Sequence, residues 1–412
     1  MSSAYASKWV PKPDHVTVKG SGLPLGFRAS AGTAGIKASG RPDLAILTCD
    51  GPKAASAIRQ TRSGAAAAPV QVNREHCLPG GVTGVVVNSG NANAGTGEEG
   101  YQNAIRMQSA AAAALSTEPA AVAVCSTGVI GNQLDIESIE AAIPTVVADL
   151  SAEGDGALAE AILTTDKGTK RLEIEVQLEG GTVSVTAQAK GAGMIQPAFA
   201  TLLCFVQTDA EMTAETCDLL LGATVKRSFE RISVDGQLST NDCVVLMSSG
   251  ASGIKVEPES ENELKLGEAI DSLLRHLALE IVSDGEGAVR VGRVVVEGGD
   301  DSLVEHVART VAGSPLVKTA LHGGDPNWGR ILQAVGMALP DQPRLVVDIE
   351  IEGMLVCSAG AAVDCDLDAL STAAAGSEVE YLIRLPGSGS ACELFFSDLS
   401  HQYVTINSEY TT

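Results

Sequence analysis

One threonine beside an apolar segment has surroundings that suggest chemistry. Thr201 lies between the glycine- and proline-containing segment KGAGMIQPAFA and the apolar run LLCFVQ. Glycine permits backbone conformations that other residues avoid, so such a segment can leave a peptide carbonyl open to attack. A lone threonine in an apolar strand is more often structural, because β-branched residues favour strands. The neighbouring glycines and proline make Thr201 a candidate for chemistry all the same.

Cleavage of the bond between Ala200 and Thr201 would give the threonine a second reactive group. The new α-amine would have an ordinary pKa of about 7.7–8.0, so part of it is neutral and basic near neutral pH. A neutral amine can activate the adjacent hydroxyl as a nucleophile. The hydroxyl can also make the cut, by attacking the preceding carbonyl to give an ester that water hydrolyses. Thr201 is therefore a candidate for both self-cleavage and acyl transfer.

An acyl-transfer nucleophile needs hydrogen-bond donors for the developing oxyanion. The segment STGVIG at 126–131 offers the hydroxyl of Thr127 and the unobstructed N–H of Gly128. The same segment also fits an ordinary strand–helix turn with a capping hydroxyl, and spacing alone favours that interpretation. The segments NSGNANAGTG at 88–97 and STND at 239–242 are open to the same two interpretations.

Motifs for other chemistries are missing from the sequence. The 6 histidines form no cluster, and no HExxH, GxSxG or P-loop pattern occurs. The 9 cysteines are odd in number and include no CxxC pair. Cysteines such as Cys204 and Cys243, within apolar runs, are typical of small buried hydrophobic residues in a reducing compartment. We predict no metal site, no disulfide framework and no bound cofactor.

The overall charge narrows the range of partners. A formal net charge of −23 argues against nucleic acid as a partner, because the phosphate backbone would be repelled. The N-terminal segment has no apolar core of a signal peptide, and no apolar run approaches the length of a membrane span. We predict a cytoplasmic protein without a membrane partner.

The composition favours an α/β protein with closely packed layers. Hydrophobic residues make up 45% of the chain and aromatic residues only 3%, so the core must be built from small aliphatic side chains. A hairpin is predicted around Gly180-Gly181, between strands at 171–178 and 182–186. Further strands are predicted at 44–48 and 84–87, and helices at 101–117, 213–230, 262–282 and, with a break at 154–156, over 135–163.

The pattern changes near residue 291. A strand at 294–297, a helix at 302–313, the loop HGGDPNWGR at 322–330 and strands within 344–353 follow one another. We predict an N-terminal catalytic domain over 1–290 that contains the cleavage position, and a C-terminal domain over 291–412.

Ordered motifs along nearly the whole chain carry a family resemblance. The segment KGAGMIQPAFATLLCFVQTDA resembles the self-cleavage signature of the ornithine acetyltransferase family, the bifunctional glutamate N-acetyltransferases of arginine biosynthesis. Other segments resemble the family in family order: GFRASAGTAGIKASGRPDLA, NSGNANAGTG, CSTGVIG, LTTD, RISVDGQLSTND, SDGEG, DPNWGR and INSEYTT. So many ordered motifs are far more specific than any single one.

The resemblance implies a fold, a maturation step and a reaction. The fold would be a layered α-β-β-α sandwich with a smaller C-terminal α/β domain. Self-cleavage would give an α chain of 1–200 and a β chain of 201–412, two of each forming an α2β2 assembly. The enzyme would move the acetyl group of N2-acetyl-L-ornithine to L-glutamate by a ping-pong mechanism through an acetyl-threonine. Some members also use acetyl-CoA as donor, and the sequence leaves that question open.

The resemblance also implies roles for individual residues. A binding charge of each sign suits zwitterionic substrates, with Lys190 for a carboxylate and Glu286 for an amino group. Of the two threonines in LTTD, Thr164 is favoured over Thr165 as the substrate contact. The implied site comprises the nucleophile Thr201, the oxyanion-hole pair Thr127 and Gly128, and the substrate-binding residues Thr164, Lys190, Thr201, Glu286, Asn407 and Thr412.

Departures from the family pattern leave alternatives open. Gly95 stands where cysteine is frequent, and AFATLL lacks a methionine that the family often has near the cleavage position. These differences leave room for a paralogue in specialised metabolism. A self-cleaved aminopeptidase or amidohydrolase of similar fold would pass its acyl group to water instead. A non-catalytic binding protein is the least favoured alternative, because Ala200 and Thr201 are both present.

Overall fold

Two β-sheets lie face to face around the N-terminal core. The structure is a computed structural model, and it describes residues 4–196 and 202–409. Within these ranges the larger sheet has the order β1 (Val16–Gly20), β7 (Lys170–Leu178), β8 (Gly181–Lys190), β9 (Leu203–Thr208), β11 (Cys243–Ser248) and β4 (Ala55–Gln60). The smaller one has the order β2 (Phe27–Gly32), β3 (Leu44–Cys49), β5 (Gly84–Asn91) and β6 (Val122–Val129).

The alternation of side chains along the strands creates the layers. In β3, Ala45 and Leu47 face the larger sheet, in one apolar cluster with Phe205 of β9. Leu44 and Ile46 point to the opposite face, where they pack against helices. Successive side chains of a strand lie on opposite faces, so each sheet is apolar on both. This arrangement confirms the predicted α-β-β-α sandwich.

Helices cover the two outer faces. The helices α2 (Gly97–Leu115) and α3 (Ile136–Ala148) cover the smaller sheet. The helices α5 (Ala214–Arg227) and α6 (Glu261–Ser283) cover the larger one. Two shorter helices, α1 (Ala68–His76) and α4 (Asp155–Ala161), complete this part.

The C-terminal part has a sheet and an apolar core of its own. In the described part of the chain its strands follow the order β10 (Ile232–Ser233), β17 (Ser390–Ser397), β12 (Val291–Gly299), β16 (Glu378–Arg384), β13 (Asp348–Ile351), β14 (Met354–Ser358) and β15 (Ala361–Ala362). Its helices are α7 (Asp301–Gly313), α8 (Pro315–Gly323), α9 (Trp328–Ala338), α10 (Leu367–Ala374) and α11 (His401–Glu409). Because β10 comes from the N-terminal part, the two parts share this sheet, and the boundary at 291 stays a prediction.

Several predicted elements are present. The strands at 44–48 and 84–87 correspond to β3 and β5, and the predicted hairpin corresponds to β7 and β8. The glycines of its turn, Gly180 and Gly181, have φ values of +96° and +146°, which L-residues with side chains rarely adopt. Cys204 and Cys243 are buried in neighbouring strands, as predicted.

Two local predictions were wrong. The segment STGVIG is not a turn after a strand, because β6 continues to Val129 alongside the end of β5. The segment HGGDPNWGR is not one loop, because α8 runs to Gly323 and α9 begins at Trp328. Gly324 ends α8 in a left-handed conformation, and the Asn327 side chain accepts the Arg330 N–H at the start of α9. A few residues therefore suffice to connect the two helices.

No helix in the described ranges is long and apolar enough to cross a membrane.

Candidate functional site

Strand ends from both N-terminal sheets meet at one cavity of about 280 Å³. Lys190 ends β8 and pairs with Leu203, the first residue of β9. Thr201, the predicted nucleophile, precedes Leu203 by two positions in the sequence, but it lies outside the described residues. The cavity is lined by Ala92, Thr127, Gly128, Ile130, Thr164, Thr165, Lys190, Gly193, Met194, Asp235, Gln237, Ser239, Thr240, Asn241, Glu286, Tyr403 and Asn407.

An irregular strand pairing presents Thr127 and Gly128 at the cavity. The register between β5 and β6 shifts at Gly90 and Asn91, opposite these two residues. Gly128 has a φ of +136°, and a Cβ atom there would lie 2.3 Å from the carbonyl carbon of Gly90. Only glycine fits this close approach. Irregularities of this kind re-aim side chains and backbone groups at the ends of strands.

Lys190 forms the charged wall of the cavity. Its side chain is almost fully buried, and Nζ donates to Thr164 Oγ1 at 2.8 Å and to Thr127 Oγ1 at 3.3 Å. Among the described residues, its nearest carboxylate oxygen is Oδ2 of Asp166, at 3.9 Å. Burial lowers the pKa of Lys190, and the negative charge of Asp166 opposes that shift. The ammonium therefore contacts two hydroxyls directly and a carboxylate only at longer range.

A buried ion network lies behind Lys190. Asp166 Oδ1 accepts hydrogen bonds from Lys170 Nζ at 2.8 Å and from the Gly191 N–H at 2.7 Å. Lys170 Nζ also donates to Asp284. Burial raises the pKa of Asp166, but the positive charges of Lys190 and Lys170 outweigh it, so the net pKa lies below the ordinary value. Asp166 is therefore a carboxylate that both lysines share.

Glu286 also lines the cavity. Its Oε2 accepts a hydrogen bond from Asn407 Nδ2 at 2.8 Å, which joins α11 to the cavity. Its backbone N–H donates to the Ala192 carbonyl at 2.8 Å. A Cβ atom on Gly193 would lie 2.7 Å from the Glu286 carboxyl group. Glycine at position 193 thus makes the space that this carboxylate occupies.

Asp235 fixes the segment that leads to the predicted cleavage position. Its two carboxylate oxygens accept the backbone N–H groups of Met194 and Ile195, at 2.6 Å and 2.9 Å. Tyr403 of α11 lies beside it, and burial together with Asp235 raises the pKa of the Tyr403 hydroxyl. The chain before 197 is therefore held by a carboxylate that lies about 40 residues away in sequence.

The cavity brings together most of the predicted site. Six predicted residues line it: Thr127, Gly128, Thr164, Lys190, Glu286 and Asn407. Ala200, Thr201 and Thr412 lie outside the described residues. Thr165 also lines the cavity, but Thr164 is the threonine that Lys190 contacts. The roles assigned to these residues stay predictions.

Sequence reasoning missed the carboxylates that support the site. Asp166 lies in LTTD, where only the threonines were candidates, and Asp242 lies in STND, which was considered only as a possible source of oxyanion donors. Asp235 lies in RISVDGQLSTND, another family-like segment. Of these three, Asp242 directly precedes an apolar run, CVVLM at 243–247, and that position was the available signal for it. Asp166 and Asp235 had no comparable signal in the sequence. In the described ranges no group of three His, Cys, Asp or Glu residues is arranged to hold a metal ion.

Comparison with known proteins agrees with these features. The ArgJ family model matches residues 28–412. The chain belongs to the ArgJ family. Proteins named arginine biosynthesis bifunctional protein ArgJ, from Nitratidesulfovibrio vulgaris and from Thermus thermophilus, are each 42% identical to it over 393 residues. Both alignments cover 95% of this chain and 99% of the relative. This ArgJ-family chain is therefore an enzyme related over almost its whole length to arginine-biosynthesis proteins.

A solved structure adds a partial match. It is ornithine acetyltransferase from Mycobacterium tuberculosis complexed with ornithine, 36% identical to this ArgJ-family chain. The match covers 45% of this chain and 99% of that chain, with a TM-score of 0.41.

Proposed function

We propose that this ArgJ-family enzyme transfers the acetyl group of N2-acetyl-L-ornithine to L-glutamate through an acetyl ester of Thr201. The supporting observation is the convergence of the six described candidate residues on one cavity beside the start of β9. The family relationship supports the same reaction. The cavity, near 280 Å³, is at the small end of ligand sites and suits an amino-acid derivative.

Maturation would begin with the hydroxyl of Thr201. Its oxygen attacks the Ala200 carbonyl carbon, the C–N bond breaks, and the departing amine takes up the proton that the hydroxyl has lost. Water then hydrolyses the resulting ester and leaves a free α-amine on Thr201. Thr127 and Gly128, next to Lys190 in the cavity wall, are suited to stabilise the oxyanion of both steps.

In acetyl transfer the hydroxyl of Thr201 would act as the nucleophile a second time. The α-amine accepts the Thr201 hydroxyl proton, and the oxygen attacks the acetyl carbon of N2-acetyl-L-ornithine. The C–N bond breaks, and ornithine leaves with that proton on its amine. The amine of glutamate then attacks the ester, which regenerates the hydroxyl. One cavity that receives donor and acceptor in turn gives ping-pong kinetics.

The charges of the cavity suit both substrates. Lys190 contacts hydroxyl groups directly and Asp166 only at 3.9 Å, so its ammonium can pair with a substrate carboxylate. Glu286 in the same cavity can accept hydrogen bonds from an amino group, with Asn407 beside it. We assign Thr164 and Thr412 to substrate binding because the family resemblance implies this role for both.

The cleaved product would stay assembled through its own sheet. The strand before the cut, β8, pairs with the strand after it, β9, from Val185 with Thr208 to Lys190 with Leu203. An α chain of 1–200 and a β chain of 201–412 thus share a continuous hydrogen-bonded ladder. We propose an α2β2 assembly of these chains, no bound cofactor, and acetyl-CoA as a second donor to be tested.

The decisive test is the intact mass of the denatured protein, with and without N2-acetyl-L-ornithine. We expect two chains divided before Thr201, with one acetyl group on the C-terminal chain. Thr201→Ala should remain one chain and carry no acetyl group. A cleaved and acetylated T201A protein would contradict the proposal. Release of free acetate without glutamate would favour the hydrolase alternative, and an uncut wild type that binds acetylornithine would favour a binding protein.

A further inference from the structure

A second cavity, of about 650 Å³, lies beside the C-terminal half of α6. Its lining also includes Lys170 of β7, Val291 of β12 and the segment 6–8 near the start of the chain. Within the described part of the chain it shares no lining residue with the cavity that Lys190 lines. Small-molecule sites usually have volumes of about 300–1,000 Å³. This α6 cavity is therefore a separate space of ligand size.

One polar side chain at the α6 cavity is buried without a hydrogen-bond partner. His276 is 6% exposed, and its ring stacks on that of Tyr5 with the centroids 5.1 Å apart. Among the described residues its side chain makes no hydrogen bond, since Nε2 lies 3.7 Å from Oε1 of Glu280. Burial lowers the pKa of His276 to about 4, so the ring is neutral near pH 7. Buried polar groups normally have a partner, and a ligand in the cavity can supply one.

Two charged groups of opposite sign at the α6 cavity lack an ion-pair partner. The Glu280 carboxylate has only the neutral ring of His276 within ion-pair distance in the described ranges. Arg290 Nη1 donates to the backbone carbonyls of Ala374 and Gly376, at 3.1 Å and 3.2 Å, and pairs with no carboxylate of the described residues. Since Gly376 also lines the cavity, the guanidinium lies near its surface.

The remaining charged groups of the lining already have protein partners. Lys170 Nζ donates to Asp284. Lys8 Nζ donates to both carboxylate oxygens of Glu352, at 2.9 Å and 2.8 Å. Glu378 accepts the backbone N–H of Lys8 at 3.3 Å. The charges left for a ligand are therefore one carboxylate and one guanidinium.

We propose that the α6 cavity binds a small zwitterion, whose amino group pairs with Glu280 and whose carboxylate pairs with Arg290. The amino group can also donate a hydrogen bond to the neutral ring of His276. Charge-assisted contacts of this kind are the stronger class of hydrogen bonds, and a guanidinium matches a carboxylate in geometry. Occupation of this cavity would leave the cavity of Lys190 open. The site is independent of the acetyl transfer proposed above.

Binding should be coupled to the loss of a proton from Glu280. Burial and Asp284 raise the pKa of Glu280 from 4.5 to about 7, and Lys170 opposes that shift. An amino group beside the carboxyl favours its charged form, so the proton leaves when the ligand binds near neutral pH. Affinity should then rise about tenfold from pH 6 to pH 8. The other charged or titratable groups of the lining are Lys8, Lys170, His276, Asp284, Arg290 and Glu378.

The test measures the binding of three zwitterions to the full-length protein by isothermal titration calorimetry. Glycine, 4-aminobutyrate and 6-aminohexanoate carry the same two charges at increasing separation, and butylamine and butyrate carry one charge each. Glu280→Gln keeps the size of the side chain and removes its charge. Glu268→Gln is the matched control, because its side chain lies on the same helix and is 65% exposed. Lys190→Met reports any binding in the other cavity.

We expect at least one zwitterion to bind the wild type, E268Q and K190M alike, and to bind E280Q about tenfold more weakly and without the rise with pH. Butylamine and butyrate should both bind more weakly than that zwitterion. Binding that is lost in K190M but kept in E280Q would overturn the inference, because the ligand would then occupy the other cavity. The absence of saturable binding up to about 10 mM would overturn it as well.

A measurement on the wild type covers the case in which E280Q fails to fold. Near pH 7, the heat of binding is recorded in buffers that differ in their enthalpy of ionisation. We expect the heat to change with the buffer, because the buffer takes up the proton that Glu280 releases. A heat that is the same in every buffer would overturn the role of Glu280. None of these outcomes depends on whether the enzyme transfers acetyl groups.

Discussion

Two buried lysines in different parts of the molecule show what distinguishes a site from a core. Lys190 and Lys318 are 2% and 4% exposed, and burial lowers the pKa of both. Lys318 of α8 donates to the carbonyl and the hydroxyl of Ser397 and lies 5.6 Å from the ring centroid of Phe396. Lys190 donates to two hydroxyls on the wall of a cavity. Burial and a lowered pKa are common to both, so the cavity makes the difference.

The largest expected effect is on catalysis. Lys190→Met should lower kcat/KM for acetyl transfer about a thousandfold, since losing one partner of a buried charged contact costs about 3–5 kcal/mol. Lys318→Met is the control and should leave kcat/KM within about threefold of wild type. Steady-state kinetics with N2-acetyl-L-ornithine and L-glutamate measure both. Equal losses in the two variants would remove the distinction between the lysines.

The next effect concerns stability and the carboxylate beside Lys190, which has no counterpart in the contacts described for Lys318. Asp166→Asn should lower the free energy of unfolding by about 3 kcal/mol at neutral pH, because Lys170 and Lys190 lose a shared negative charge. The folded pKa of Asp166 lies below the ordinary 3.8, so its contribution is present above that pH and disappears as the pH falls towards the folded pKa. Urea unfolding at neutral and acidic pH tests this. A difference between variant and wild type that persists unchanged in acid would contradict it.

A smaller effect concerns the contribution of Lys318 to stability. Burial lowers the pKa of Lys318 from 10.5 to about 8. Between these pH values the unfolded state binds more protons than the folded state, so stability rises with pH. The penalty is complete below about pH 8 and fades above it. The difference in unfolding free energy between wild type and Lys318→Met should therefore change by about 2 kcal/mol between about pH 7 and pH 9.5, in favour of wild type. Urea titrations at the two pH values measure it, and a constant difference would contradict the prediction.

The smallest effect concerns space rather than charge. Gly193→Ala should raise KM about tenfold, roughly 1.4 kcal/mol, because the new Cβ would lie 2.7 Å from the Glu286 carboxyl group. Gly323→Ala near Lys318 is the matched control, since a Cβ at Gly323 meets nothing within 4 Å. Substrate saturation curves of the two cleaved variants provide the comparison. A KM of G193A equal to that of G323A would show that Glu286 moves aside freely.

The sequence was most informative where local pattern decides structure. The two faces of β3 follow from the two-residue alternation of side chains along a strand. The turn of the β7–β8 hairpin follows from the preference of tight turns for glycine. Thr127 and Gly128 were found through a short motif, but the shifted register that presents them depends on the neighbouring strand. HGGDPNWGR was predicted to be one loop, and the local pattern did not indicate that Asn327 begins a helix there.

The supporting parts of the site depend on contacts between distant segments. Glu286 and Asn407 are 121 residues apart in sequence, and Lys170 reaches Asp284 across 114 residues. Neither separation has a period or motif that relates the two residues. Only the family resemblance predicted that Glu286 and Asn407 belong to one site. It did not assign Asp166 or Asp242 to that site. Ion pairing and burial, which require the folded chain, decide these positions.

The sheet shared by the two parts has a consequence for the order of events during synthesis. β10 pairs with β17, Ser233 opposite Phe396, and the Val234 N–H donates to the Ile195 carbonyl at 2.9 Å. Asp235 then holds the same segment upstream of the cleavage position. Residues near the end of the chain thus help to shape a segment near its middle. We expect a nascent chain to remain uncut until nearly all of it has left the ribosome, so that an unfinished polypeptide is not divided.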